Sequence, residues 1–274
     1  MANPFGTEDM ASGYATSRPA VHPRVMEQAY RQLGRTEPFP LALDVGCGAG
    51  VSTKALVGFA RRCVGLEPVE AMLQRAGAIA PFAEFLVGAA EAIPLRDRSV
   101  DLVTAAGSLN YANLDLFFPE ATRVLNRNGV LLVYDFSPGR SFREDDRLDE
   151  WFASFQGRYP PPLDEARNLS PAILAEMKSG FQMRFQQQFE IGIKLTRAFY
   201  ADYMMTETNV AASVRHGVPH SEIQSWCEST LVPVWNATER EVLFRGYFAC
   251  MGLPYKRLAN NPGAGYVELE QEMP

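Results

Sequence analysis

The chain has 274 residues, 47% hydrophobic and 21% charged, with four cysteines and a net charge of −6. This is ordinary for a globular protein with a full core, and the length suits one large domain with an elaboration. It excludes a strongly basic nucleic-acid binder and any helix of ~18 consecutive apolar residues; with no basic or apolar leader at Met1, a cytoplasmic protein is expected.

Residues 1–20 are small and polar and read as an arm. Pro23 opens a helix running to about Leu33, and Gly34 ends it. Strand one is Leu41–Val45, followed by Gly46, Gly48 and Gly50. A helical pattern covers Val51–Arg62, and strand two is Cys63–Leu66. A second helix starts at Pro68 and runs to about Ala80, before strand three, Ala83–Val87. Strand four is Val100–Ala105, the next helix is about Leu114–Leu125, and strand five is Val130–Asp135. Such alternation builds parallel strands with right-handed crossovers and helices on both faces.

After Asp135 the pattern changes. Residues 138–169 are rich in Pro, Arg and Asp, with Trp151, Phe152, Phe155 and Tyr159 interleaved. They read either as a surface loop with its own small cluster or as an insertion that closes over a site. Ser170 and Pro171 cap a helix to about Lys178. A strand-like stretch, Phe181–Leu195, is followed by helical segments at Arg197–Met205, Glu207–Arg215 and Ser221–Thr230. The last strand is Glu241–Met251, and the final 20 residues read as loosely ordered. Cys47, Cys63, Cys227 and Cys250 lack metal-ligand spacing and read as buried apolar residues in a reducing compartment; no metal is expected.

The glycine turn carries the chemistry. A pyrophosphate-binding fingerprint is G-x-G-x-x-G, whereas here the spacing is G-x-G-x-G with Val51 at the place of the third glycine. A tighter turn preceded by Asp44 suits a ligand with a cationic group and no phosphate. Asp44 either acts on that group, directly or through water, or ties the turn by accepting backbone N–H groups. Glu67 ends strand two. A carboxylate there accepts both hydroxyls of a ribose, which is favoured over a solvated charge at a helix start.

Together, L-D-V-G-C-G-A-G, V-G-L-E-P and G-A-A-E-A-I-P-L-R-D-R-S-V-D-L-V resemble a class I S-adenosylmethionine-dependent methyltransferase of the type 11 small-molecule group, over about residues 40–136. The opening from Tyr14 through Arg18 and Pro19 to His22 and Pro23 resembles the arm of the trans-aconitate methyltransferase-like subgroup, with His22 where that pattern has Tyr. The resemblance implies a Rossmann-like α/β fold. We expect seven mostly parallel strands, one antiparallel pair at the edge, helices on both faces and a helical cap. It divides the chain into a cofactor-covering arm and helix (1–36), a cofactor-binding core (37–136), a cap insertion (137–180), C-terminal strands and helices completing sheet and acceptor pocket (181–254) and a tail (255–274).

S-adenosylmethionine is the implied cofactor, with S-adenosylhomocysteine as product. Gly46, Cys47, Gly48 and Gly50 would pass under the methionine part, with Asp44 near its amino group. Glu67 would hold the ribose, Pro68 would shape its surroundings, Ala89 and Ala90 would flank the adenine, and Ala106 would lie close to the sulfonium. Many relatives carry Asp where this chain has Ala89. Methyl transfer is an in-line displacement that needs positioning more than a fixed triad. Candidates for catalysis are Asn110, Tyr111 and His22, although a solvated or helix-capping role is the commoner one for such a His. Tyr14, Arg18, Tyr111, Arg197 and Tyr200 are acceptor-site candidates, and Arg143 competes for any carboxylate on the acceptor. The partner implied is a small molecule, not nucleic acid or membrane; the absence of an Asn-Pro-Pro-aromatic motif after strand four argues against nucleobases. Two other readings stand beside this one: a non-catalytic binder of the cofactor or its product, and a nicotinamide-dependent oxidoreductase.

Overall fold

A computed structural model describes residues 17–162 and 166–254. In chain order the elements are α1 (Val21–Gln32), β1 (Phe39–Val45), α2 (Val51–Lys54), β2 (Ala60–Glu67), α3 (Glu70–Ile79), β3 (Glu84–Val87), β4 (Val100–Ala106), α4 (Leu114–Val124), β5 (Leu125–Phe136), β6 (Ser141–Phe142), α5 (Arg147–Arg158), α6 (Pro171–Glu176), β7 (Gln182–Thr196), α7 (Arg197–Met204), α8 (Thr208–Arg215), α9 (His220–Thr230) and β8 (Glu239–Gly252). No helix among the described residues is long and apolar enough to cross a membrane.

The strands form one sheet in the order β3-β2-β1-β4-β5-β8-β6, with β7 along the other side of β8. The five-strand parallel half follows from continuous apolar runs, which only burial on both faces can satisfy. The expected strand count was seven; the eighth is the two-residue β6, paired with Val242 and Leu243. The antiparallel pairing is also not confined to an edge. β8 runs against β5, β6 and β7, so one reversed strand lies inside the sheet.

Alternate residues of the central strands feed two cores. On one face Ala42, Leu102, Leu132, Tyr134 and Phe248 meet α1, α5 and α7. On the other, Leu43, Val45, Val103, Leu131 and Met251 meet α4 and α6. The helix expected at Val51–Arg62 is much shorter. It stops at Lys54, Gly58 turns the chain at φ 82°, and Arg61 and Arg62 enter β2 paired with Glu37 and Glu84.

The stretch 138–169 is not simply a loop. It contains α5, whose Trp151 and Phe155 stack at 5.5 Å and pack with Tyr200, Trp226 and Tyr159. Asp149 and Glu150 in its first turn suit the positive end of the helix dipole. The arm residues up to 16, including Tyr14, and the tail from 255 lie outside the described residues.

Candidate functional site

The site is built where β1, β2, β4 and β5 end on the same side of the sheet. β1 runs out at Val45 and the chain turns through Gly46, Gly48 and Gly50, all with positive φ (66°, 54° and 85°). The backbone N–H groups of Gly46 and Cys47 both donate to the Leu66 carbonyl, 2.8 and 3.1 Å away, which fastens the turn to β2. A Cβ on Gly46 would lie 2.3 Å from the Cβ of Ser108. Ser108 in turn donates to the Val45 carbonyl at 2.6 Å. The turn and the loop after β4 therefore touch backbone to side chain, and only glycine fits between them.

Glu67 is buried at the end of β2 and is not the solvated charge of the alternative reading. Its two carboxylate oxygens accept the N–H groups of Gly48 (3.1 Å) and Val69 (3.0 Å). Burial raises its pKa; those two donors work against the shift. Each oxygen keeps a second lone pair for a ligand hydroxyl. Pro68, next in the chain, is exposed at the rim.

Asp44 differs from the expectation. It is 0% exposed, and hydroxyls enclose it: Ser52 and Thr53 donate to Oδ2 and Thr104 to Oδ1, at 2.7, 2.7 and 2.8 Å. Burial raises its pKa against these three donors. It makes its bonds to side chains and not to turn N–H groups, and it presents no surface to a ligand. Its place is structural, pinning α2 and β4 to the end of β1. Cys47 likewise offers the cleft only its backbone, because its side chain is buried beneath Gly65.

Ala89 and Ala90 follow β3 and are half-buried, with Glu91 accepting from the Asn113 N–H at the start of α4. Ala106 ends β4. After it, Gly107 sits so close to Asp135 that an added Cβ would be 3.1 Å from its Oδ1. Asn110 donates to Asp135 at 2.7 Å, and the Asn110 carbonyl accepts from the Arg167 N–H. Burial raises the Asp135 pKa, opposed by Asn110 and the Phe136 N–H. Asp135 and Ser108 are the residues sequence reasoning missed. An acid closing an apolar strand, as in L-A-L-D and V-G-L-E, was the available signal for Asp135.

Several other candidates are engaged by the protein itself. Tyr200 is 0% exposed, and its hydroxyl donates to the Gly139 carbonyl at 2.6 Å, so it belongs to the core. Arg197 is exposed at the first turn of α7. Arg143 is an exposed partner of Glu190 and Glu241. Arg18 is spent on Glu207 (3.4 Å), the Thr206 carbonyl and the Tyr203 ring, which ties the chain before α1 to the start of α8. His22 is neither solvated nor a cap: it is buried in the first turn of α1, its Nδ1 2.9 Å from the Tyr134 hydroxyl, with its ring edge-on to Phe136. Burial, with help from the Arg18 charge, lowers its pKa to about 3. Tyr111 is 47% exposed in the loop after β4.

Three comparisons bear on this geometry. Residues 43–133 match the family model described as a methyltransferase domain. An uncharacterized methyltransferase of Mycobacterium tuberculosis is 32% identical over 131 residues, 48% of this chain and 51% of that one. A Dictyostelium discoideum protein assigned as a methyltransferase is 34% identical over 96 residues, 35% of this chain and 36% of that one. The chain thus spans about half or less of the length of these relatives. Among solved structures, a protein of Anaeromyxobacter dehalogenans assigned as a type II methyltransferase superposes with a TM-score of 0.64 at 24% identity, covering 83% of this chain and 97% of that one.

Proposed function

We propose that the chain, whose residues 43–133 match a methyltransferase domain, is a class I S-adenosylmethionine-dependent methyltransferase that methylates a small-molecule acceptor by in-line displacement on the sulfonium. The carrying observation is the Glu67 carboxylate on the Gly48 N–H. In a dinucleotide site that N–H faces pyrophosphate. Here an anion already occupies it, which repels phosphate and suits a cation with a ribose.

Glu67 takes the ribose hydroxyls, Gly46–Gly50 lie under the methionine part, Ala89 and Ala90 flank the adenine, and Ala106 lies beside the sulfur. The acceptor stands over Gly107 and Asn110, with Tyr111 as a wall. Asp135, oriented by Asn110, is the group that takes or holds the acceptor's proton; its desolvation makes it a better base when ionised and eases pairing with a cation. The cap supplies the cover that excludes water, and the domain division given above is part of this reading.

Calorimetric titration of the full chain with S-adenosylmethionine, S-adenosylhomocysteine and NAD tests it. The first two are expected to bind one to one and NAD not at all; NAD binding, or no binding by any, overturns the reading. Tritiated methyl donor with small-molecule extracts is then expected to give labelled products, and Asp135→Asn is expected to lose transfer while keeping donor affinity. Binding with no transfer in any extract would make the chain a sensor.

A further inference from the structure

β7 is the outer edge of the sheet: 15 residues whose strand partner among the described residues is β8. An edge presents a row of N–H and C=O groups that can template another chain. Folded proteins blunt it with proline, bulges, inward charges or short strands. β7 is long, has no proline, and carries its irregularity near its start, between Met183 and Phe185.

Its centre reads Arg184-Phe-Gln-Gln187-Gln-Phe-Glu190. About Gln187 this segment mirrors itself. Gln186 matches Gln188 and Phe185 matches Phe189; Met183, beyond the irregularity, turns to the opposite core from Ile191 and lies outside the mirror. Arg184 falls opposite Glu190, a charge inverted across the mirror. Within 184–190, positions equidistant from Gln187 share a face, because strand side chains alternate. The even-numbered residues are exposed, and the odd-numbered ones turn inward. Two copies running antiparallel would thus set apolar against apolar inside and Arg against Glu outside, twice.

We propose that β7 is a homodimerisation edge, on which two copies pair antiparallel about a two-fold axis at Gln187 and join their sheets into one. Self-complementarity of this kind is what an isologous interface requires, and directly opposed pairs are the unit of its stability. Neighbouring structure suits the partner. A groove of about 450 Å³ runs beside the strand between α1 and β7, lined by Gln28, Arg31, Gln32, Gln187, Phe189 and Glu190, among others. Arg245 and Arg143 hold Glu190 on the outer face, at 3.0 and 3.3 Å.

Light scattering after size exclusion, from low to high micromolar concentration, tests this. The full chain is expected to run at twice its 30.4 kDa mass. Arg184→Glu and Glu190→Arg each put like charges opposite one another, and each is expected to raise the dissociation constant about tenfold or more. An equimolar mixture of the two variants restores both ion pairs, so it is expected to recover dimers containing one of each. Independently of these variants, Gln187→Cys is expected to give a disulfide-linked dimer on oxidation; the four native cysteines are buried and supply little background. A wild-type monomer throughout overturns the proposal and leaves the edge to another occupant, such as residues 255–274 of the same chain. A dimer indifferent to both charge variants, a folded mixture that stays monomeric, or no cross-link at position 187 overturns it as well.

Discussion

Acidification should weaken this fold through a single buried imidazole. His22 titrates near 6.5 when the chain is unfolded, but near 3 in the folded state. The folded form is thus the poorer proton acceptor, so the neutral ring is tolerated at and above pH 7 and stability is lost as pH falls below 6.5. Linkage gives about 1 kcal/mol lost at pH 5.5 and about 2 kcal/mol at pH 5, relative to pH 8. The buried carboxylates Asp44, Glu67 and Asp135 have raised pKa values and push the other way, so the wild-type curve alone does not isolate the ring. A difference does. Urea unfolding of wild type and His22→Gln should be followed by circular dichroism from pH 8 to pH 5. The glutamine can still bond the Tyr134 hydroxyl, and the other titratable groups are common to the two proteins. The variant's stability is expected to fall by about 2 kcal/mol less over that range. Parallel curves would refute the argument, since they would mean that the ring takes up its proton as readily inside as outside.

Three further outcomes are expected. Gly46→Ala should lower stability by about 2–5 kcal/mol, from left-handed strain plus the collision with Ser108, and Ser108→Gly should recover part of it in thermal melts. Tyr200→Phe should lower stability by about 1 kcal/mol for the lost bond to Gly139 and leave donor affinity in calorimetry unchanged; a large loss of affinity would return this residue to the pocket. Glu67→Gln keeps the shape but not the charge, and should weaken S-adenosylmethionine binding about tenfold or more, with the far-ultraviolet spectrum unaltered.

The parallel half of the sheet was legible because its strands are continuous apolar runs broken by glycine and charged turns, and burial on two faces leaves that mark on a sequence. The Val51–Arg62 stretch misled because its apolar spacing fits a helix, while Gly58 and the ladders that β2 forms with β1 and β3 decide otherwise. α5 was hidden by its Pro- and Arg-rich flanks, although its aromatic spacing is helical. The glycine spacing and Glu67 could be read locally, being one turn and one strand end. The enclosure of Asp44 by Thr104 and the pairing of Asn110 with Asp135 join residues 60 and 25 positions apart. Only strand register creates those contacts, so no local pattern announces them.

The reversed strand has a consequence for synthesis on the ribosome. Among the described residues, β6 and β7 pair in the sheet with β8 alone, and β8 is made after both. Five parallel strands with their crossovers can assemble once residue 136 has emerged. The next 100 or so residues wait, a long edge among them, until residues 239–252 leave the exit tunnel and slide between their neighbours. A nascent chain stalled short of that point carries an open seam along β5.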